Sequence, residues 1–306
     1  AGVTIITGRQ DNSLLNGVDR IVISPGIALS IPIVQEAFNR HIEVVSEVEL
    51  AYDVCKSPIL GVTGTNGKTT TTTLLTQVME STGLPIKVGG NIGDSLSEAA
   101  FNMPEGGYLI AELSSYQLET IKSFCPLGAI VLNVTPDHLA RHKTMENYAA
   151  AKARIFMNQN AENFVVLNDD DPIVAAMKKD VHSKILSISQ HHKVECGAYF
   201  EGNTCYAVLN GNVISVIDTE QIHIKGAHNI ENILSVIALT YALGVDVERI
   251  KRTIENFHGV EHRLERVTTI HDVTFYNDSK ATNTDSVVKA LDAFDKPVIL
   301  LAGGHD

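Results

Sequence analysis

The residues most able to do chemistry in this chain are Lys68 and Thr69, which directly follow a glycine in Gly61-Val62-Thr63-Gly64-Thr65-Asn66-Gly67-Lys68-Thr69-Thr70. This is a recipe for holding a polyphosphate. The glycines let the backbone turn, so that successive N–H groups point at phosphate oxygens. The following helix adds its positive end, Lys68 a point charge, and Thr69 a hydroxyl for Mg²⁺. The stretch departs from the common phosphate-loop spacing, because Val62 stands where a glycine is expected five residues before Gly67. A tight turn that binds nothing is the competing reading, but Lys-Thr after Gly in this setting has few structural reasons.

Further polar residues need explaining. Glu112 ends an apolar run, Ala111-Glu112-Leu113, where a lone carboxylate is costly. A cation would remove that cost, and Mg²⁺ beside the phosphate loop is the natural one; a solvated loop acid is the alternative. In Asn133-Val134-Thr135-Pro136-Asp137-His138, His138 is a candidate metal ligand or a structural histidine. Lys152 lies on an otherwise apolar helix and by itself reads as a lysine reaching for solvent. Asn229 and Asn232 share one helix face, and Asn229 is equally a candidate N-cap. Glu261-His262-Arg263 and Asn277-Asp278-Ser279-Lys280-Ala281-Thr282-Asn283 are polar clusters beside short strands. Near a nucleotide they would contact phosphate and ribose; otherwise they are a surface ion pair and an Asx turn.

The elements that must hold these residues alternate. Asp19–Ser24 and Ile42–Val45 read as strands around a helix at Ile33–Arg40, with Pro25-Gly26 as a turn and Glu47–Cys55 as a passage to the next domain. From Pro58 come a strand, a helix at Thr71–Glu80, strands at Tyr108–Leu113, Ala129–Val134 and Asn163–Asn168, a helical turn at Leu118–Ile121, and a helix at Tyr148–Asn158. This alternation predicts a parallel sheet covered on both faces, with ligands at the C-terminal strand ends. Gly64, Glu112 and Asn133 all fall there. Lys184–Ile224 differs, with short strands and a hairpin around Asn210-Gly211. Helices follow at Ile230–Leu243 and Val247–Phe257, then a hairpin, Arg266–Ile270 with Val273–Asn277, a helix at Val287–Phe294, a strand at Pro297–Leu301 and a turn at Ala302–Asp306.

The 306 residues call for two or three domains. A net charge of −12 argues against a nucleic-acid or anionic-membrane surface, so phosphate must be met by local features. The four cysteines are scattered without a Cys-x-x-Cys pair, which fits a reducing cytoplasm and no metal framework. No run has the length of a membrane span.

Taken together, the series Gly-Thr-Asn-Gly-Lys-Thr-Thr, Asn91-Ile92-Gly93, Ala111 to Ser115, Asn133 to His138, Lys152, His228-Asn229, His262-Arg263 and Asp278 to Asn283 resembles the Mur ligase family of ATP-dependent amide ligases in peptidoglycan precursor synthesis. Ser24-Pro25-Gly26-Ile27 and the Asp278–Asn283 run resemble the branch that adds D-glutamate to UDP-N-acetylmuramoyl-L-alanine. The resemblance implies an α/β chain: residues 1–46 as part of a UDP-substrate domain, 47–259 as a central phosphate-loop ATPase domain with a mostly parallel sheet, and 260–306 as the start of a Rossmann-like domain. It implies ATP and Mg²⁺ at two sites, with UDP-N-acetylmuramoyl-L-alanine and D-glutamate as partners, in a monomeric bacterial cytoplasmic protein.

By position, it implies that Gly64, Thr65, Asn66, Gly67, Lys68, Thr69 and Thr70 cradle the phosphates and that Thr69 and Glu112 hold one Mg²⁺. His138 and a carbamylated Lys152 would serve a second. Asn91 and His138 would contact the muramoyl substrate and Gly26 its nucleotide-sugar part. Asn229 and Asn232 would lie near adenine, Arg263 near the γ-phosphate, and Asp278 on the ribose. Lys280 and Thr282 would face the incoming D-glutamate. On ordinary domain sizes the family's first strand would precede Ala1 by roughly fifty residues, and the C-terminal domain would stop after its first strand. Such a piece is expected to bind nucleotide with little ligation, and to expose apolar edges. A folylpolyglutamate-type ligase, a nucleotide switch and a phosphate-loop kinase are the rival readings.

Overall fold

A computed structural model describes residues 2–8, 10–294 and 296–303. The N-terminal piece contains β1 (Arg20–Ile23), α1 (Pro32–Asn39), β2 (Glu43–Ser46) and α2 (Glu47–Val54), with β1 and β2 paired in parallel. Then come β3 (Ile59–Thr63), α3 (Lys68–Glu80), β4 (Ile86–Gly90), α4 (Leu96–Phe101), β5 (Tyr108–Glu112), α5 (Ser115–Leu118), β6 (Gly128–Val131), α6 (Leu139–His142), α7 (Met145–Ala153), β7 (Phe164–Asn168), α8 (Pro172–Ala176), β8 (Lys184–Ser189), β9 (Gly197–Glu201), β10 (Thr204–Leu209), β11 (Asn212–Asp218), α9 (Ala227–Ala242) and α10 (Val247–Glu255). The chain continues with the hairpin β12 (Glu265–Ile270) and β13 (Val273–Asn277), and then α11 (Thr284–Asp292).

The central strands form one sheet in the order β11-β10-β9-β8-β7-β6-β3-β5-β4. It is parallel from β4 through β9, and β10 and β11 add an antiparallel edge. The 184–224 segment, which looked distinct in sequence, therefore extends the same sheet. Successive residues of the central strands feed opposite cores, as a sheet covered on both faces requires. Leu60, Val62, Ile110, Ile130 and Val166 pack toward α3, α9 and α10. Ile59, Leu109, Ala111, Ala129, Val131 and Val165 pack toward the other face.

This order decides where a site can form. β3 lies between β5 and β6, and the chain moves from it to opposite edges of the sheet. The loops after β3, β5 and β6 therefore border one crevice, the usual ligand position in such sheets.

Glu47–Cys55, read as the passage to the next domain, is largely helix α2. There Glu49, 4% exposed, accepts hydrogen bonds from the N–H groups of Lys122, Ser123 and Phe124 at 2.6–3.0 Å. The helical turn after β5 comes earlier than expected, at Ser115–Leu118, because Ser114 and Gln117 form a capping box. No strand forms at Pro297–Leu301, where Ile299 and Leu301 are each 91% exposed. An apolar run becomes a strand only when a partner edge pairs with it, and none among the described residues does. From Gly304 on, the expected C-terminal turn lies outside the described residues.

Candidate active site

α3 begins at Lys68, three residues earlier than its apolar pattern implied, because Gly67 takes a left-handed conformation (φ 85°) and starts the helix without a side-chain cap. A Cβ on Gly67 would collide with Asn232 Oδ1, so glycine is required both by conformation and by space. The first backward helical bond here runs from Thr71 N–H to the Gly67 carbonyl at 2.9 Å. The N–H groups of Lys68, Thr69 and Thr70 thus open the helix with no backbone acceptor, as at any helix start, and suit an anion.

The N–H groups of Thr65 and Asn66 do not join them, since both are already bonded. Asn133 Oδ1 accepts from both, at 3.1 and 2.8 Å, and Asn133 Nδ2 donates to the Asn66 carbonyl at 3.1 Å. Asn133 is a brace that sets the loop's shape.

Two lysines converge on one carbonyl. Lys68 Nζ donates to the carbonyls of Gly64 (2.9 Å) and Thr65 (2.8 Å), and Lys152 Nζ donates to Gly64 at 2.7 Å. Lys152 is 1% exposed. Burial, then the neighbouring Lys68 charge, pushes its pKa well below the ordinary lysine value; Lys68 is lowered too, mainly by burial. Tyr148, one helical turn before Lys152, lays its ring 4.4 Å from the Lys152 nitrogen. Its hydroxyl lies 3.2 Å from Thr65 Oγ1, and burial raises its pKa to about 12.

Glu112 ends β5 at 1% exposure. Asn91 Nδ2 donates to its Oε1 at 2.8 Å, an arrangement made possible by Gly90, whose φ of 108° brings the backbone against the Glu112 carbonyl. The other oxygen, Oε2, is buried without a hydrogen-bond partner. The structure thus seats Asn91 on Glu112 and leaves one carboxylate oxygen for a cation. His138 takes a left-handed φ of 55° at the start of α6, held by its N–H bond to Asp137 Oδ1 at 2.8 Å. Burial lowers its pKa, with Asp137 partly opposing, so the ring is biased to the neutral form that a metal needs. His142 lies behind it, with Nε2 3.0 Å from Ser115 Oγ and its ring between Tyr116 and Tyr148.

A cavity opens beside the loop, lined among others by Asn229, Asn232, Arg263 and Asp278. The two asparagines are linked, Asn232 Nδ2 donating to Asn229 Oδ1 at 3.1 Å, and Thr71 Oγ1 donates to Asn232 Oδ1 at 3.2 Å. Asn229 does not cap α9; its Nδ2 donates to the Lys225 carbonyl. Arg263 reaches Thr69 Oγ1 at 3.4 Å with Nη2, while its Nε is buried and unpartnered. The residues flanking Arg263, His262 and Leu264, both have positive φ (65° and 44°), backbone strain of the kind that accumulates at sites. Asp278 Oδ1 accepts from Leu264 N–H at 3.1 Å, and burial raises its pKa.

Lys280 and Thr282 are exposed on the loop before α11, and Gly26 sits in the turn after β1, away from the cavity lining. Sequence reasoning missed the roles of Asn133, Tyr148, Asn283 and Asp285. An aromatic four residues before a helical lysine was the available signal for Tyr148. The other three act across long sequence separations. Among the described residues no three His, Cys, Asp or Glu side chains group as a metal site. A cation here would rest on Glu112 and hydroxyl ligands such as Thr69, with the unpartnered Glu112 oxygen as its best-fitting donor.

Comparison with known proteins agrees with this geometry. Residues 62–240 match the Mur ligase middle domain, and residues 1–46 match the Mur ligase MurD-like N-terminal domain. A UDP-N-acetylmuramoylalanine–D-glutamate ligase of Thermoanaerobacter pseudethanolicus is 45% identical over 299 residues, covering 98% of this chain and 66% of the relative. The ligase of the same name from Pelotomaculum thermopropionicum is 43% identical, covering 100% and 67%. The chain thus spans about two thirds of the length of these curated relatives. Among solved structures, MurF from Acinetobacter baumannii has the same fold (TM-score 0.65, 19% identity, 81% of this chain and 56% of that one). So does a pseudomurein peptide ligase type C from Methanothermus fervidus (TM-score 0.63, 20% identity, 94% and 67%). With a braced glycine-rich loop at the switch point of a nine-stranded sheet, and a family match across more than half its length, the chain belongs to the Mur ligase family.

Proposed function

We propose that the protein of which this chain is part is an ATP-dependent amide ligase that joins D-glutamate to UDP-N-acetylmuramoyl-L-alanine in peptidoglycan precursor synthesis. The observation that carries this reading is a pair of opposite needs at one helix start. A buried carboxylate oxygen of Glu112 and a buried Nε of Arg263 both lack partners, beside the open N–H groups of Lys68, Thr69 and Thr70. Mg²⁺-ATP supplies both a cation and an anion. The names of the relatives at 43–45% identity point to the substrates.

A carboxylate does not react with an amine until it carries a leaving group, and phosphorylation by ATP provides one. The amine of D-glutamate then attacks the acyl phosphate, and the tetrahedral species collapses to amide and phosphate. The protein's task is to hold anions together and neutralise them. Lys68 and the α3 N-terminus bind the phosphates, Arg263 takes charge at the γ-phosphate, Asp278 reads the ribose, and Asn229 and Asn232 border the base. Mg²⁺ would rest on Thr69 and Glu112, where it would screen phosphate charge. Lys152, biased toward the uncharged amine, suits carbamylation because a neutral amine attacks CO₂; the carbamate and His138 would serve a second cation. Gly26, Asn91 and His138 are assigned to the muramoyl substrate, and Lys280 and Thr282 to the incoming amino acid. Residues 1–46, 47–259 and 260–306 are taken as part of a UDP-substrate domain, an ATP-binding ligase domain and the start of a Rossmann-like domain. A cytoplasmic monomer is part of the same reading; no helix among the described residues is long and apolar enough to cross a membrane.

The test is Mg²⁺-ATP-dependent phosphate release with UDP-N-acetylmuramoyl-L-alanine, with and without D-glutamate. Release that needs both substrates, with amide as product, supports the assignment. Release with a different amino acid, or a phosphate ester as product, rejects it.

A further inference from the structure

α5 and α6 follow the two strands that flank β3. β5 delivers Glu112 and runs on into α5; β6 leads to His138 and then α6. Glu119, the residue that closes α5, joins the two helices. Arg141 Nε donates to both Glu119 oxygens at 3.2 Å, and Arg141 Nη2 donates to Oε2 at 2.6 Å. The Glu119 and Arg141 side chains are 15% and 18% exposed. His142 Nδ1 lies 3.5 Å from Glu119 Oε1, while its Nε2 lies 3.0 Å from Ser115 Oγ. Both ends of one imidazole thus meet α5 and its cap. Tyr116 completes the contact, its ring centre 4.8 Å from the Arg141 guanidinium carbon and 5.0 Å from the His138 ring.

A mostly buried ion pair is a weak source of stability, because removing two charges from water offsets their attraction. What it supplies is direction, since a planar guanidinium meets a carboxylate in a fixed orientation. His138 takes its direction from outside its own ring. Its side chain is 47% exposed, and its left-handed backbone opens α6. The ring therefore points wherever α6 is held. We propose that Glu119 is a positioning residue for the ligase reaction: through Arg141 and His142 it fixes α6 on α5 and so sets His138 relative to Glu112. The third helix of the site is tied to the same point. Arg154, just after α7, donates through Nε to the Leu118 carbonyl at 2.8 Å, and the Tyr148 ring of α7 packs on His142. The consequence for cations rests on the proposed reading, in which His138 and Lys152 serve the second one; the joining of α5 to α6 does not.

Mn²⁺ binding to the full-length protein, with a non-hydrolysable ATP analogue present, reports each cation site through loss of the free-ion paramagnetic signal. Glu119→Gln leaves Arg141 without its counter-charge. It should weaken the second Mn²⁺ site by at least about tenfold and leave the first unchanged, as loss of a residue that supports a metal ligand commonly does. Glu119→Met/Arg141→Met replaces both charges with apolar side chains. Its urea midpoint should return to that of the unaltered protein, since such replacements are often neutral. The second site should stay weakened, because an apolar pair packs without a preferred orientation. Hydrogen exchange over residues 139–143 should be faster by about tenfold in both variants. A second site that keeps its affinity in Glu119→Gln, or regains it together with the urea midpoint, overturns the proposal. Should the methionine pair not regain its midpoint, Ser115→Ala decides. It removes only the partner of His142 Nε2 and should weaken the second site about threefold; an unchanged second site there overturns the proposal. An unaltered protein that takes up a single Mn²⁺ rejects the two-cation reading. Faster exchange over 139–143 then still supports the positioning of α6 by Glu119, and unchanged exchange overturns it.

Discussion

Asn91 Nδ2 holds one oxygen of Glu112 at 2.8 Å while the other oxygen of the same carboxylate is buried without a partner. An asparagine expected to touch substrate thus fixes the direction in which a carboxylate points. Supporting residues of this kind commonly change metal affinity by about 10–100-fold when removed. Asn91→Ala is therefore expected to raise the Mg²⁺ concentration for half-maximal turnover of the ligase by at least about tenfold, measured by Mg²⁺ titration at fixed ATP. An unshifted titration curve would mean that Asn91 acts on substrate alone.

Lys152 is expected to trade stability for function. At neutral pH the unfolded chain carries it protonated, whereas the buried site resists that charge, so burial costs stability at every pH below about 10.5, a cost that grows as pH falls toward its lowered folded pKa. Lys152→Met keeps the volume, and the Gly64 carbonyl retains Lys68 as donor. The variant should be inactive yet more stable by about 0.5–2 kcal/mol in urea denaturation. Lys152→Ala should also be inactive, and added bicarbonate or a short-chain acid should restore part of its turnover. Full activity in either variant would sink the carbamate role.

Stability should fall on mild acidification. Burial holds His142 below the ordinary histidine value, with Glu119 only partly opposing, and His138 is shifted the same way. The unfolded chain then binds more protons than the folded one in the window just below about 6.5. Their stabilising contribution is complete above that value and is lost as pH falls through the folded pKa values. His142, with its side chain 4% exposed, should dominate over His138 at 47%. Urea midpoints between pH 7.5 and 5 should decline, and less steeply in His142→Tyr; equal slopes would refute the assignment.

Gly67→Ala should disable the phosphate loop. The new Cβ meets Asn232 Oδ1 and the residue must hold φ 85°, at a cost of about 1–3 kcal/mol. Nucleotide binding should be lost in calorimetry. Adding Asn232→Ala removes the collision but not the conformational strain, so recovery should be partial at most.

Glu49→Ala should loosen the join between the N-terminal piece and the sheet. Three N–H groups, of Lys122, Ser123 and Phe124, would lose their acceptor. A loss of about 3 kcal/mol is expected from thermal unfolding, given what bonds to a charged acceptor are worth. Glu49→Gln retains one acceptor oxygen and should lose less.

The strand-loop-helix unit around Lys68, the alternation behind the parallel sheet, and the positions of Glu112 and Asn133 at strand ends were all legible in the sequence. So were the Asn210-Gly211 and His271-Asp272 hairpins, whose turn residues take the positive φ such turns need. These features are local: glycine conformation, residue periodicity and turn chemistry act within a few positions. The resemblance to the Mur ligases likewise drew on short motifs in a fixed order.

Other features depended on which distant parts of the chain meet. The sequence marked 184–224 as different but not as an extension of the main sheet, because strand order is not written in periodicity. It read Pro297–Leu301 as a strand, although strand formation requires a partner edge. It offered Thr65 and Asn66 as nucleotide contacts without showing that Asn133 already holds their N–H groups. It left Asn283 and Asp285 without a role, since the Asn66 amide they grip lies 217 and 219 residues away. By itself the sequence determined which groups were available for chemistry and the local turns that present them. Only the tertiary structure decided which groups are already satisfied, which are buried and unpaired, and so which remain for a ligand, because hydrogen bonding and desolvation depend on neighbours that folding brings together.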